Sequence, residues 1–168
     1  MKVIKQSTYE TCLSCCLLMM SGRDNKDEVE IWKRGWKFNY LIGQLNYVAS
    51  KYDRQIKAYI ENKYYFNQLQ KQKSSGIKLL NKKIDTKLLS KLLEKDKVIL
   101  YLDNYYLQGI LHAPHFVVAI KQMDNRLEVA DPYDGKIKMI PIKVISKAIV
   151  SLRNHLKYSL VLIQFLGN

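Results

Sequence analysis

Residues 12–20, CLSCCLLMM, carry no charge and present apolar side chains in every direction. Such a stretch predicts a helix buried on all sides, running from Cys12 to about Ser21, with Thr11 as its cap and Gly22 as its stop. DEVEIWKRGW (27–36) and NYLIGQLNYVASKY (39–52) follow, each with apolar residues at three- and four-residue steps, the spacing of amphipathic helices. RQIKAYI (54–60) reads as a short strand and NKYYFNQLQKQK (62–73) as a helix, before the polar break at Ser74, Ser75 and Gly76. From Asp85 the pattern sharpens. DTKLLSKLLEKD (85–96) predicts an amphipathic helix capped by Asp85, and KVILYLD (97–103) a buried strand. HFVVAI (115–120), RLEVA (126–130), KIKMI (136–140) and SLVLIQF (159–165) predict further strands, with turns at Asp124-Asn125 and Asp134-Gly135. A helix from Pro141 to about Leu152, with proline in its first turn, precedes the last strand.

The order predicts an α+β fold: a helical N-terminal half packed on a C-terminal antiparallel sheet, with a cleft between two unlike halves. Its 168 residues suit one domain spanning 1–168. No stretch approaches the length of apolar chain that a membrane span needs, and MKVIKQSTYE lacks the oily centre of a secretory signal, so a cytoplasmic, reducing location is expected. The net charge is +13, from 28 basic and 15 acidic residues, but only five of the basic residues are arginine. Scattered lysines form a solvated face more readily than a nucleic-acid surface, so nucleic acid is not the expected partner.

The cysteines narrow the chemistry. Cys12, Cys15 and Cys16 are odd in number and crowded together, so they do not form a disulfide framework. For zinc only the distant His112 and His115 could supply the second ligand pair, and Cys15 and Cys16 cannot both turn toward one metal from a helix, so neither a metal nor a cofactor is expected. Cys12 opens the buried helix, where unpaired amides and the helix dipole favour the negative charge of a nucleophilic thiolate. Cys15 and Cys16 lie a turn further in, among leucines and methionines, and read as packing residues.

Gln6, then Cys12, then Cys16-Leu17, followed far downstream by His115-Phe116-Val117-Val118 and Asp131-Pro132, resembles the bacteriocin-processing peptidases of the papain-like cysteine peptidase superfamily. The resemblance runs from Gln6 to the end of the sheet and implies a papain-like fold. It assigns the nucleophile to Cys12, the general base to His115, the orienting aspartate to Asp131 and the oxyanion donor to Gln6. It implies a peptide or protein substrate, typically a leader ending in two glycines, and allows association with an exporter. Thr11 and Leu13 stand where the family usually has aspartate and glycine.

Strand geometry makes a separate demand. His115 and Asp131 lie opposite each other on one face only if the hairpin between them is centred on Met123. A two-residue Asp124-Asn125 turn would set Asp131 across from Val118, on the other face. An odd-length loop, or a bulge at Asn125, is therefore expected. Plainer roles stand beside the chemical ones. Asp131 can cap the DPYDG turn, His112 reads as a loop residue and His155 as a solvated one. Trp32, Trp36 and the tyrosines at 64, 65, 105 and 106 read as packing or cleft walls, with Tyr105, Tyr106 and Leu107 candidates to line a substrate groove. The expected function is a cysteine peptidase acting through an acyl-thioester. The alternatives are an acyltransferase of the same superfamily and a catalytically silent module that binds a peptide or nucleic acid.

Overall fold

A computed structural model describes residues 1–37 and 39–166. Among these residues seven α-helices and seven strands follow in the order α1 (Cys12–Met20), α2 (Glu28–Lys37), α3 (Tyr40–Lys51), β1 (Ile56–Ile60), α4 (Lys63–Gln70), β2 (Ile77–Asn81), α5 (Thr86–Leu93), β3 (Val98–Asp103), α6 (Tyr105–Gln108), β4 (Pro114–Met123), β5 (Arg126–Asp131), β6 (Lys136–Pro141), α7 (Ile142–Asn154) and β7 (Val161–Phe165). The fold is α+β and the strands form one sheet in the order β2-β1-β7-β3-β4-β5-β6. The five strands of the C-terminal half pair antiparallel, as expected. Two strands from the middle of the chain extend that sheet, β1 antiparallel to β7 and β2 parallel to β1. Ile77–Asn81 was not expected as a strand; its apolar run is short and sits beside lysines, and pairing with β1 is what fixes it.

Side chains alternate across the sheet, so one set of strands supplies two cores. On one face α1 packs with α2, α3 and Leu69 of α4 over Ile99, Phe116, Val118, Ala130 and Ile163. On the other, α5 and α7 cover Leu100, Val117, Ala119, Val129 and Leu162. Every residue of α1 from Cys12 to Met19 is buried, which is why the segment tolerates no charge. Its one polar interior side chain, Ser14, donates to Gln44 Oε1 on α3 at 2.9 Å. Gly43 of α3 lets the α2–α3 hairpin close, because a Cβ there would run into the backbone carbonyl of Arg34.

Local chemistry sets most element ends. Asp85 caps α5 by accepting from the Leu88 amide at 2.9 Å, as its sequence position foretold. Pro141 lies just outside α7 rather than within its first turn. Thr11 is a larger departure: it precedes α1, but its side chain accepts from no amide of that helix. Its hydroxyl instead donates to Glu28 Oε1, with the Thr8 carbonyl an alternative acceptor at 3.0 Å, so Thr11 ties α1 to α2 and to the preceding loop.

Candidate active site

The N-terminal end of α1 meets the ends of β4 and β5, and this brings Cys12, His115 and Asp131 together. The hairpin that does so differs from expectation. The two-residue Asp124-Asn125 turn forms after all, pairing Met123 with Arg126, and Asp124 takes the left-handed conformation the tight turn needs. The register is then shifted by a bulge between Ala119 and Lys121, on β4 rather than at Asn125. Beyond it Ala119 faces Val129 and Val118 faces Ala130, so Asp131 joins the face of Val117 and His115 as a diagonal neighbour of the histidine, not its direct opposite. One extra residue thus corrects the parity that the turn alone would have spoiled.

Asp131 is the most heavily bonded group here. Its side chain is fully buried. Oδ1 accepts from His115 Nε2 at 2.8 Å and from the Tyr133 amide at 2.9 Å. Oδ2 accepts from Gln108 Nε2 at 2.6 Å and Lys138 Nζ at 2.7 Å. The aspartate therefore holds its own turn and reaches the histidine as well. Burial pushes its carboxyl upward, but the bonds and charges of His115 and Lys138 outweigh it and lower the pKa to about 2.

His115 is 4% exposed. Nε2 is engaged by Asp131, and the Cys12 side chain lies close enough to interact with the ring. Burial disfavours the imidazolium; hydrogen bonds to Asp131 and Cys12, with their negative charges, outweigh it and raise the pKa to about 9. Deeper in the helix, burial pushes the Cys15 and Cys16 thiols far above the usual thiol range, which fits their reading as packing residues. All three cysteines are free.

Gln6 lies beside this group. Its backbone amide donates to the Pro132 carbonyl at 2.8 Å, joining the N-terminal segment to the loop after Asp131. Its side-chain Nε2 donates to the Tyr9 carbonyl at 3.2 Å, and its Oε1 is buried without a hydrogen-bond partner. The loop from Gln6 to Cys12 is pinned from below by Glu28, itself 2% exposed, whose Oε1 accepts from the Ser7 amide at 2.7 Å, the Ser7 hydroxyl at 2.9 Å and the Thr11 hydroxyl.

An aromatic groove leads away from Cys12. A cavity of about 310 Å³ is lined by Cys12, Tyr9, Trp32, Trp36, Tyr40 and Tyr158. It shares Tyr40, Tyr101, Phe116 and Tyr158 with an adjoining cavity of about 500 Å³, whose further walls include Asn62, Tyr64 and Tyr65 of the segment after β1. Trp36 and Tyr64 are 67% and 74% exposed on its rim. Tyr105 and Tyr106 are elsewhere: Tyr105 stacks on His112 at 4.2 Å, and Tyr106 and His112 line a separate cavity with Ser151 and His155. His112 is in a loop, as expected, but its Nδ1 is 2.7 Å from the buried Asp103, which also accepts from Ser151 Oγ at 2.6 Å. Among the described residues no cluster of three histidine, cysteine or carboxylate side chains is arranged to hold a metal ion.

The chain superposes on a Bacillus anthracis protein classed as a C39-like peptidase with a TM-score of 0.61 at 13% identity, over 99% of this chain and 94% of that one. The fold is that of the C39-like peptidases. A second solved structure, a double glycine motif protease from an AMS/PCAT transporter in complex with the leader peptide, matches with a TM-score of 0.51 at 14% identity, over 99% of this chain and 91% of that one. No protein-family model and no curated protein sequence matches the chain. The C39-like fold is thus carried with little sequence likeness.

Sequence reading missed three residues around the site. Glu28 had a visible signal: an acid at one end of the buried stripe that continues through Ile31 and Gly35 of α2. Gln108 and Lys138 had none. In KIKMI the alternation suggests Ile137 and Met139 as the inward pair, yet these are 49% and 40% exposed, while Lys138 turns to Asp131.

Proposed function

We propose that the chain is a cysteine peptidase acting on a peptide or extended protein segment. The observation that carries this reading is the buried His115 ring, bonded through Nε2 to Asp131 at 2.8 Å and near enough to Cys12 at the start of α1 to interact with its side chain. Cys12 Sγ gives its proton to His115 Nδ1 and attacks the scissile carbonyl carbon. His115 returns that proton to the leaving amine as the carbon–nitrogen bond breaks, leaving an acyl-thioester on Cys12. Water, giving a proton to His115, then attacks the thioester and releases the carboxylic acid and the thiol. Asp131 keeps the imidazole oriented and stabilises its charged form.

Gln6 supplies the oxyanion donor in this scheme. With one hydrogen given to the Tyr9 carbonyl, its amide has a second to offer an oxyanion, and removal of such a donor costs about 100- to 1000-fold in rate. The aromatic groove that begins at Cys12 suits an extended chain with apolar side chains. Leader-peptide processing is the biological form of this activity that we propose, on the strength of the leader-bound structural relative. A free catalytic thiol of this kind works in a reducing compartment, in keeping with a cytoplasmic location. No helix among the described residues is long and apolar enough to cross a membrane.

The test is mass-resolved alkylation followed by turnover. Iodoacetamide at pH 6 should label Cys12 well before Cys15 or Cys16, and a peptide library should be hydrolysed by the wild type but not by Cys12→Ala. Equal sluggishness of all three thiols, or turnover retained in Cys12→Ala, overturns the proposal. Amide products appearing when amines are added would reassign the enzyme as an acyltransferase.

A further inference from the structure

Lys138 stands out among the groups around the site because a charged side chain on an edge strand is turned inward. In the β5–β6 register Lys138 pairs with Val129, two residues before Asp131 on the same face, so its side chain reaches the aspartate diagonally. Its Nζ lies 2.7 Å from Asp131 Oδ2 and 3.0 Å from Asp134 Oδ2, and the side chain is 21% exposed. Asp134 holds it in turn, from the loop that Gly135 closes in a left-handed conformation.

Building on the peptidase reading above, we propose that Lys138 is a positioning residue that fixes the Asp131 carboxylate and sets the pH range over which the Cys12–His115 pair is active. The two oxygens of Asp131 are divided between two tasks. Oδ1 serves His115 and the Tyr133 amide, and Oδ2 is held by Lys138 and Gln108. With Oδ2 anchored at two points the carboxylate is held against rotation, and the His115 ring bonded to Oδ1 is held with it.

The charge has its own effect. Asp131 is faced by His115 from β4, by Lys138 from β6 and by the neutral Gln108 from α6, with Cys16 approaching from α1; Cys12 and, edge-on at 6.4 Å, Tyr133 face His115, Asp134 faces Lys138, and Lys136, the register partner of Asp131, is exposed. Lys138 is the cation that touches the carboxylate without being part of the proton transfer. A fixed positive charge here opposes protonation of His115 and favours the thiolate, so its removal moves both limbs of the activity profile to higher pH.

The experiment measures, for the full chain, the rate of Cys12 alkylation and the peptidase kcat/KM from pH 4 to pH 10 in the wild type, Lys138→Met, Lys138→Gln and Lys138→Arg. Both neutral variants should shift the two limbs upward together by about half a unit or more, and cut kcat/KM at the optimum about tenfold through loss of orientation. Lys138→Arg, which keeps the charge and can bond Oδ2, should restore the limbs. Neutral variants that fold with wild-type limbs overturn the role of Lys138. A wild type whose Cys12 shows no enhanced reactivity overturns the peptidase reading instead, so the two failures are distinguishable.

Discussion

Glu28 offers the sharpest test of how the loop before Cys12 is held. Three donors converge on one carboxyl oxygen, Oε1: the Ser7 amide, the Ser7 hydroxyl and the Thr11 hydroxyl. Glu28→Ala removes that acceptor. Thr11 can still donate to the Thr8 carbonyl at 3.0 Å, so the loss falls on the two Ser7 bonds, each worth about 1 kcal/mol or somewhat more. The truncated stem, buried against α1, adds about 1 kcal/mol as a cavity, for a total of roughly 3 kcal/mol. In a domain of this size that corresponds to a fall in Tm of about 6–12 °C. Glu28→Gln retains an oxygen at the same place, and should cost no more than about 1 kcal/mol. Thermal melts of both variants, paired with the Cys12 alkylation rate, make the check, and the alanine variant should also lose reactivity as the loop loosens. An alanine variant melting within 2 °C of wild type, or a glutamine variant as damaged as alanine, would refute the claim that this oxygen pins the loop.

Other outcomes follow from the same contacts. His115 is raised from 6.5 to about 9 in the fold, so its contribution to stability is fully present below pH 6.5 and is lost as pH rises through 9. Asp131 is lowered from 3.8 to about 2, so its contribution is present above pH 3.8 and is lost as pH falls through 2. The two shifts describe one interaction, worth on the order of 2–3 kcal/mol, and urea melts between pH 6 and 10 should show the alkaline loss in the wild type and a flatter slope in Asp131→Asn; parallel slopes would count against the pairing. Leu17→Ala, in the fully buried middle of α1, should cost about 2–5 kcal/mol by denaturant melt, and a loss under 1 kcal/mol would mean that the helix is not central. Gly43→Ala should destabilise rather than stabilise, although alanine is the better helix former, because its methyl meets the Arg34 carbonyl; a raised Tm would contradict the tight α2–α3 contact.

Where a segment's own residues decide its state, the sequence was a sufficient guide. α1 is apolar on every side and is buried on every side; α5 has a capping aspartate and an apolar stripe, and both operate as read. The strands after residue 97 were legible because each carries an apolar run bounded by turn residues. β2 was not, since IKLLN becomes a strand only by lying parallel to β1, a long-range pairing that no local pattern announces. Thr11 shows the same limit at one residue: its type and place suit a cap, but a buried carboxyl on the next helix competes for its hydroxyl and wins.

The bulge is where local and global signals conflict most directly. Asp124-Asn125 is a good two-residue turn and the chain uses it, which fixes the register at Met123 and Arg126. That register, continued unbroken, would direct Asp131 away from His115. The structure inserts one unpaired residue in β4 between Ala119 and Lys121, so turn preference and side-chain convergence are both satisfied. Sequence could demand that parity be corrected somewhere but not say where, because Ile120 continues the apolar run before it and marks itself as the extra residue by nothing. The same bulge puts Asp131 diagonal to His115 instead of opposite it, leaving its second oxygen for Gln108 and Lys138. Deletion of Ile120 should therefore spare the site in a variant that still folds: it removes the bulge and its local twist, but Ala119 stays opposite Val129, so Asp131 keeps the face of Val117 and His115.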